Sequence, residues 1–175
     1  DCLVFSNTGF IPAGATKPGV EDAGEAGVPD PDSIWIEGEN PEWTDFKKHG
    51  WYDKVAKEGF SGKEWLSHYD NSPGATPGTA RYSFDVKKDG DYAFWVRCNH
   101  FRCEMDYQLD TADAKPGGWK QVDFGEKNLR DAMMVSDRPD HRFIGWVKIG
   151  TVTFTAGKHT VVFKIHSQLA NHGSV

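Results

Sequence analysis

Asp1-Cys2-Leu3-Val4-Phe5 opens the chain with an apolar, β-prone stretch that has no neighbouring strand to pair with. A Gly- and Pro-rich segment, residues 6–33, follows it and is predicted to be a linker, because these residues interrupt strand ladders. From residue 34 onward the pattern is that of a β-domain that lacks one strand. The fold therefore depends on whether residues 1–5 pair in their own domain or in a neighbouring copy.

Length and charge narrow the classes of function. The 175 residues are enough for one packed domain, here residues 34–175, plus the linker. The net charge of −6 argues against a nucleic-acid or anionic-membrane partner, because phosphate groups attract the opposite sign. The chain has no run of about 18 apolar residues, so the sequence predicts no membrane-spanning helix. Its seven Trp suit either a β-sandwich core or platforms that stack on sugars.

Many short alternating stretches with turn residues between them predict an antiparallel β-sandwich without a long helix. The predicted strands are 34–39, 80–86, 91–98, 103–109, 119–124, 143–147, 151–155 and 160–166. Turns are predicted at 88–90 and at 156–159, the second closing a hairpin. Residues 129–135 fit a helical turn or a short strand. Residues 41–70 predict an insertion at one end of the sandwich, with short helical turns at 51–58 and 62–68.

Two of the three cysteines, Cys98 and Cys103, flank a four-residue segment that is predicted to be a hairpin loop. Positions that flank such a loop lie opposite each other, where a cross-strand disulfide can close. The alternative is a pair of reduced, half-buried thiols, since cysteine placement alone does not decide between them. Cys2 is then unpaired or bonds to another chain.

Three motifs together resemble the galactose-binding-like jelly rolls, the carbohydrate-binding modules related to families six and thirty-five. They are Glu37-Gly38-Glu39, the turn at 89–92 that leads into Phe94-Trp95-Val96-Arg97, and the segment 154–163. Such domains open with Glu-x-Glu and close with a strand whose match here is residues 1–5. The chain therefore resembles a member that is circularly permuted, cut from a tandem array, or built for strand exchange, and Asp1 is expected to be a processed or excised start.

The resemblance implies a structural calcium ion held by Glu37, Glu39 and Asp1. Residues two apart on a strand project from the same face, and two carboxylates so placed repel unless a cation lies between them. Calcium binds about six to eight oxygens, with backbone carbonyls among them. If Asp1 is a ligand, metal binding and docking of the first strand are linked. The alternative is a solvated acidic face on an edge strand.

The resemblance also implies a sugar site in loops at one end of the sandwich, with a stacking aromatic ring and polar hydrogen-bonding groups. The candidates are Asn171, His172, Asn99, Arg102, Trp51 and Trp65, together with Trp43 and Tyr52. Asn171 matches best, because an Asn shortly before the last strand is common in these modules. For each Trp of the insertion the alternative is core or lid packing, and the strand residues Trp35, Trp95 and Trp146 are predicted to be core.

The sequence thus predicts a secreted or cell-surface, non-catalytic domain that binds a polysaccharide or glycan and holds calcium. Residues 1–5 add the prediction of head-to-tail self-association between copies. The alternative is a structural fibre or surface-layer subunit without sugar binding. Catalysis on polysaccharides is disfavoured, because Glu37 and Glu39 point the same way from one strand rather than flanking a substrate.

Overall fold

The computed structural model describes residues 1–15, 32–48, 50, 55–100, 103–110, 118–135, 143–166 and 173–174. In these ranges the prediction of an all-β antiparallel sandwich is confirmed, because two five-stranded sheets pack face to face. The strands are β1 (Cys2–Ser6), β2 (Ile34–Glu37), β3 (Trp43–Thr44), β4 (Ser67–His68), β5 (Gly78–Val86), β6 (Gly90–Cys98), β7 (Met105–Leu109), β8 (Lys120–Gln121), β9 (Leu129–Met134), β10 (Phe143–Phe154), β11 (Gly157–Ile165) and β12 (Gly173–Ser174). A 3-10 turn at Glu126–Asn128 precedes β9.

Sheet A has the strand order β2-β1-β6-β10-β9. The strand β1 lies inside this sheet, with Cys2 opposite both Glu37 and Arg97. All residues of β1 are buried, because both of its edges are paired and both of its faces are covered. Residues 1–5 therefore complete the sheet of their own chain in this structure. A strand from a neighbouring copy would fill the same position, so exchange between copies stays a prediction.

Sheet B has the strand order β3-β5-β11-β7-β8. Its central pair, β5 and β11, is in register from Val86 opposite Gly157 to Gly78 opposite Ile165. Alternate residues of β5 are buried, as expected for a strand with one face on the core. The other face of sheet B, which carries Thr79, Arg81 and Ser83 on β5, is its outer face.

The core between the sheets is aromatic, and β1 supplies its centre. Phe5 stacks on Phe94 of the same sheet at 4.3 Å between ring centroids and on Phe84 of sheet B at 4.7 Å. Phe154 meets Phe5 edge-on at 5.4 Å. Since aromatic pairs in these arrangements add to the energy of area burial, Phe5 ties the two sheets together.

The outer face of sheet A is a second buried layer. Trp95 and Trp146 lie there with Val4, and Trp35 meets Trp146 edge-on at 5.8 Å between centroids. Residues 7–15 cover this face: Phe10 is 5% exposed, and Trp146 Nε1 donates to the Gly14 carbonyl at 2.9 Å. The described part of the predicted linker is thus packed on its own domain, and the strand Trp residues are core, as predicted.

The insertion between residues 41 and 70 contributes strands to two sheets. The strand β3 joins sheet B, and β4 pairs with β12, Gly173 being opposite His68. The predicted helical turns are wrong for residues 55–58 and 62–68, which form bends and β4. Phe60 and Trp65 are instead buried against Val135 and Ile144, by contacts remote in sequence rather than along a helix face. Among the described residues, none belongs to a helix that is long and apolar enough to cross a bilayer.

Three connections predicted as turns or hairpins link different sheets. The pairs β5 and β6, β6 and β7, and β10 and β11 are each consecutive in sequence, but one strand of each pair lies in sheet A and the other in sheet B. The hairpin predicted around 156–159 and the hairpin loop predicted at 99–102 are therefore wrong. The chain crosses between the sheets at these points, so that the apolar faces of successive strands meet across the core instead of lying side by side.

Other predicted strands differ in their bounds. The two strands predicted at 143–147 and 151–155 are one strand, β10, whose register with β6 shifts between Lys148 and Gly150. Gly150 has φ +151°, which favours glycine, and it permits the irregularity without ending the strand. The strand predicted at 119–124 is limited to β8, whereas residues 129–135 take up the strand alternative as β9.

Candidate functional site

The outer face of sheet B carries a row of side chains that crosses all five strands. Trp43 is opposite Arg81, Arg81 is opposite Val162, and Val162 is opposite Gln108. The β7–β8 register, continued by one residue beyond β8, places Trp119 opposite Gln108. Directly opposed residues of antiparallel strands project from the same face, so the row begins and ends with a Trp. Four strand spacings of about 4.8 Å place the two Trp backbones about 19 Å apart.

Trp43 is exposed at one edge of this face. Its side chain is 49% exposed, the highest value among the large apolar residues of the described part of the chain. The Thr44 hydroxyl holds the short strand β3 in place: it donates to the Thr79 carbonyl at 2.9 Å and accepts from the Phe46 N–H at 3.0 Å. The indole is thus presented to solvent by a strand whose own position is hydrogen-bonded.

Trp119 lies at the opposite edge and is half-buried. The ammonium group of Lys164 lies over its ring, 4.4 Å from the centroid. Gly118 packs on the Gln108 amide so closely that a Cβ at position 118 would lie 2.9 Å from Gln108 Nε2. Gln108 and Val162, in the middle of the row, are each 2% exposed, so Trp43 and Arg81 form the more open half of the face.

The cations between the two Trp rings are paired with carboxylates. Lys164 Nζ contacts Asp106 Oδ2 at 2.7 Å, and Arg81 Nη2 lies 3.6 Å from Glu42 Oε1. His166 Nε2 lies 3.0 Å from the same Asp106 oxygen. Partial burial would raise the pKa of Asp106, but its hydrogen bonds to Lys164 and His166 outweigh that and lower it. Asp106 therefore stays ionised and neutralises Lys164 at neutral pH.

The three carboxylates predicted to bind calcium lie near one another at one end of sheet A. They differ in burial and in their hydrogen-bond partners. Asp1 is buried: its Oδ2 accepts from Arg97 Nη1 at 2.9 Å, and its Oδ1 accepts from the Ser61 N–H at 2.8 Å. Glu37 Oε1 accepts from the Ser61 hydroxyl at 3.0 Å and from Trp35 Nε1 at 3.2 Å. Asp1 thus already has a cation, the Arg97 guanidinium, beside it.

Glu39 fits a metal better than Asp1 does. The sequence predicted Glu39 on the same strand as Glu37, but β2 ends at Glu37 and Glu39 lies in the turn that follows. Its Oε2 is buried and has no hydrogen-bond partner in the described part of the chain. Burial raises the pKa of Glu39, and the charges of Glu37 and Glu64 raise it further, although a backbone hydrogen bond and the charge of the Asp1 ammonium group oppose this. A cation beside Glu39 would offset both effects.

Within the described residues, no group of three or more His, Cys, Asp and Glu side chains is arranged as a metal-binding cluster. The calcium ion predicted at Glu37, Glu39 and Asp1 stays a prediction. The donors available to an ion are the Glu39 carboxylate first, then Glu37.

The predicted sugar-binding residues are not brought together in the described ranges. Trp65 is 1% exposed and packs on Phe60 at 5.1 Å between centroids, which is the core alternative. Asn99 is 1% exposed. Trp43 lies on the outer face of sheet B, opposite Arg81. The other five candidates, Trp51, Tyr52, Arg102, Asn171 and His172, lie outside the described residues.

Cys2, Cys98 and Cys103 are free thiols in this structure, and the disulfide between Cys98 and Cys103 stays a prediction. Their strands do not form the hairpin from which the disulfide was predicted, since β6 and β7 belong to different sheets. Burial raises the pKa of Cys2 and Cys98 to about 12 each. Because the thiolate is the reactive form, burial makes both of these thiols poorly reactive at neutral pH.

Sequence reasoning missed Trp119, which it assigned only to a predicted strand. The available signal was its position after Gly117-Gly118, a pair that lets the backbone approach the sheet closely. What could not be read from the sequence is the register that places Trp119 and Trp43 in one row, because these residues are 76 positions apart along the chain (119 minus 43). No protein-family model matches the chain, and no curated protein matches it significantly.

Proposed function

We propose that this chain is an extracellular, non-catalytic domain of the jelly-roll type that binds carbohydrate on the outer face of sheet B. The observation that supports this most is the row between Trp43 and Trp119. It combines an exposed indole, a second, half-buried indole at the opposite edge, and the polar side chains of Arg81 and Lys164 on the same face.

The chemistry of sugars suits such a face. Pyranose rings have apolar C–H faces that stack on indole rings, and hydroxyl groups that need hydrogen-bond donors and acceptors. Arg81 and Lys164 supply donors, and Glu42 and Asp106 supply acceptors. A span of about 19 Å between the two Trp backbones is longer than a single sugar ring, so the face suits an oligosaccharide that crosses the strands.

Affinity electrophoresis against a panel of soluble polysaccharides tests this function, followed by calorimetry with the best ligand. Trp43→Ala is expected to weaken binding at least tenfold, because loss of a stacking ring costs about 1.4 kcal/mol or more. Met134→Ala is the matched control, since Met134 is similarly exposed, at 45%, but lies on the edge of sheet A. The proposal would be contradicted if no polysaccharide were retained, or if both variants lost the same amount of binding affinity.

A structural calcium ion at Glu39 and Glu37, with Asp1 as a further carboxylate, belongs to the same proposal. The support is the partnerless Glu39 oxygen and the adjacent charges of Glu37 and Glu64. A ligand that binds only the folded state raises its stability by RT ln(1 + [L]/Kd). Calcium should therefore raise the melting temperature above its value in EDTA, and Glu39→Gln should remove this difference while the exposed control Glu126→Gln keeps it. An EDTA-insensitive melt would exclude the site.

A second candidate function is that of a subunit in a strand-exchanged assembly. The observation that favours it is the place of β1, fully buried inside sheet A yet supplied from before the predicted linker. A neighbouring copy that donated β1 would make the same contacts. Light scattering during size-exclusion chromatography tests this, and a strictly monomeric folded protein at all concentrations would rule it out.

A further inference from the structure

We infer that the ligand of the outer face of sheet B is an uncharged glycan, not a uronate-containing or sulfated one. This inference rests on the proposed function, and it names the class of sugar from the charges that line the face.

Two cations on the face, Lys164 and Arg81, are already paired with carboxylates. Lys164, the cation nearest Trp119, is 21% exposed, and its ammonium group is shared between Asp106 at 2.7 Å and the indole ring. Arg81, opposite Trp43, lies 3.6 Å from Glu42. Both of these cations thus have a carboxylate within ion-pair distance, and the third cation of the face, Lys158, lies opposite Asp85 of β5. An anionic sugar would have to displace these carboxylates or accept them as neighbours.

The charged side chains around the row of Trp43 and Trp119 carry no net positive charge. Among the described residues that project from this face, Arg81, Lys164 and Lys158 contribute three positive charges, and Glu42, Asp106 and Asp85 cancel them. Glu104 and Asp45 add negative charge at the ends of the same strands, where Glu104 Oε1 lies 3.9 Å from His166 and Asp45 Oδ1 accepts from the Thr79 N–H at 2.6 Å. The face is therefore neutral to acidic at pH 7, as is the chain as a whole with its net charge of −6. Like charges repel, so anionic polymers are disfavoured.

Paired ions can bind a neutral, hydroxyl-rich ligand. A carboxylate beside an ammonium or guanidinium group presents an acceptor and a donor a few ångströms apart. Sugar hydroxyls both donate and accept, so neighbouring hydroxyls can bind such a pair without breaking it. Hydrogen bonds to charged groups are also stronger than those between neutral groups. The ion pairs then select hydroxyl-rich, uncharged rings, while the indoles supply stacking.

The experiment compares neutral polysaccharides, such as glucans, mannans and xylans, with polygalacturonate, alginate and heparin, at 50 and 500 mM NaCl. The expected result is binding of a neutral polymer whose Kd changes less than twofold with salt, and no binding of the acidic polymers. Binding of an acidic polymer that weakens tenfold or more with salt would overturn the inference while leaving the proposed function intact. Retention of no polymer at either salt concentration would overturn both.

The Asp106→Asn variant sharpens the same test, because it removes the carboxylate that neutralises Lys164. It is expected to gain weak, salt-sensitive binding to polygalacturonate, and to bind the neutral polymer less tightly than the wild type. Glu126→Gln, at an exposed position between β8 and β9, makes the same change in net charge and is expected to gain nothing. An equal gain in both variants would show that overall charge, and not the face, selects the ligand, and would overturn the inference. Circular dichroism shows whether each variant is folded, and the salt series on the wild type decides the inference without any variant.

Discussion

The two outer faces of the sandwich use the same residue type for opposite purposes. On sheet A, Trp95 and Trp146 are buried beneath residues 7–15 and belong to a second apolar layer. On sheet B, Trp43 is half-exposed at one edge and Trp119 carries a lysine over its ring at the other. A Trp on a strand is therefore a core residue where another segment covers its ring, and a candidate contact residue where its ring stays partly exposed.

The largest expected difference between the faces is in stability. Trp146→Ala should lower the free energy of unfolding by about 3–5 kcal/mol, because it removes a fully buried indole and its hydrogen bond to Gly14. Trp43→Ala should change that free energy by no more than about 0.5 kcal/mol. Denaturation in urea measures both, and similar losses in the two variants would contradict the assignment of one face as core and the other as surface.

The next effect concerns the buried ion pair at the end of sheet A. Arg97→Met should cost about 3 kcal/mol, because the Asp1 carboxylate would stay buried without its cation. The control is Lys88→Met, whose pair with Asp32 is at the surface and is expected to change the unfolding midpoint little. Adding Asp1→Asn to Arg97→Met should recover part of the loss. No recovery would mean that Arg97 acts through its packing or its bond to the Gly59 carbonyl.

A smaller effect should couple stability to binding on sheet B. Thr44→Val removes a hydroxyl that donates to Thr79 and accepts from Phe46, so it should cost about 1 kcal/mol. It should also weaken glycan binding, because the strand that carries Trp43 loses its anchor. Thr153→Val, which removes an exposed bond to Asp91 on sheet A, is the matched control. Weakened binding in the control as well would indicate a general loss of order.

The smallest expected effect is a pH dependence at His68, which packs against Gly78 at the end of β5. Its Nδ1 accepts from the Lys47 N–H at 3.0 Å, and burial lowers its pKa below the ordinary value of about 6.5, although Asp45 and Asp70 oppose this. The unfolded chain therefore takes up a proton first as pH falls. The contribution of His68 to stability is therefore complete when the pH is above about 6.5, the pKa of the unfolded chain, and it declines as the pH falls below that value.

The urea midpoint between pH 7.5 and 5.5 measures this effect, as the difference between the wild type and His68→Phe. The wild type has to be compared with His68→Phe because His159 changes the pH dependence of stability in the opposite direction. Burial alone would lower its pKa, but the bonds to Asp110 and to the Thr155 carbonyl raise it. If wild type and His68→Phe show the same slope with pH, His68 does not contribute.

The strands of this protein follow from local pattern, whereas their partners do not. Alternation of apolar residues predicts β5, β6 and β11 to within a few residues, because each strand has a face on the core. The same pattern cannot tell a hairpin from a crossing between sheets, since both begin with a turn after an alternating strand. The hairpin predicted around 156–159 failed for this reason: β10 and β11 face each other across the core.

The sequence by itself determined that the chain is an antiparallel β-sandwich and that residues 1–5 are one of its strands, because alternation and turn residues are local properties. Only the tertiary structure decided that β1 lies between β2 and β6, that residues 7–15 cover one outer face, and that Trp43 and Trp119 share a row on the other. Each of these depends on contacts between segments far apart along the chain. Such contacts are selected by the burial of whole faces together, and no local window of sequence contains that information.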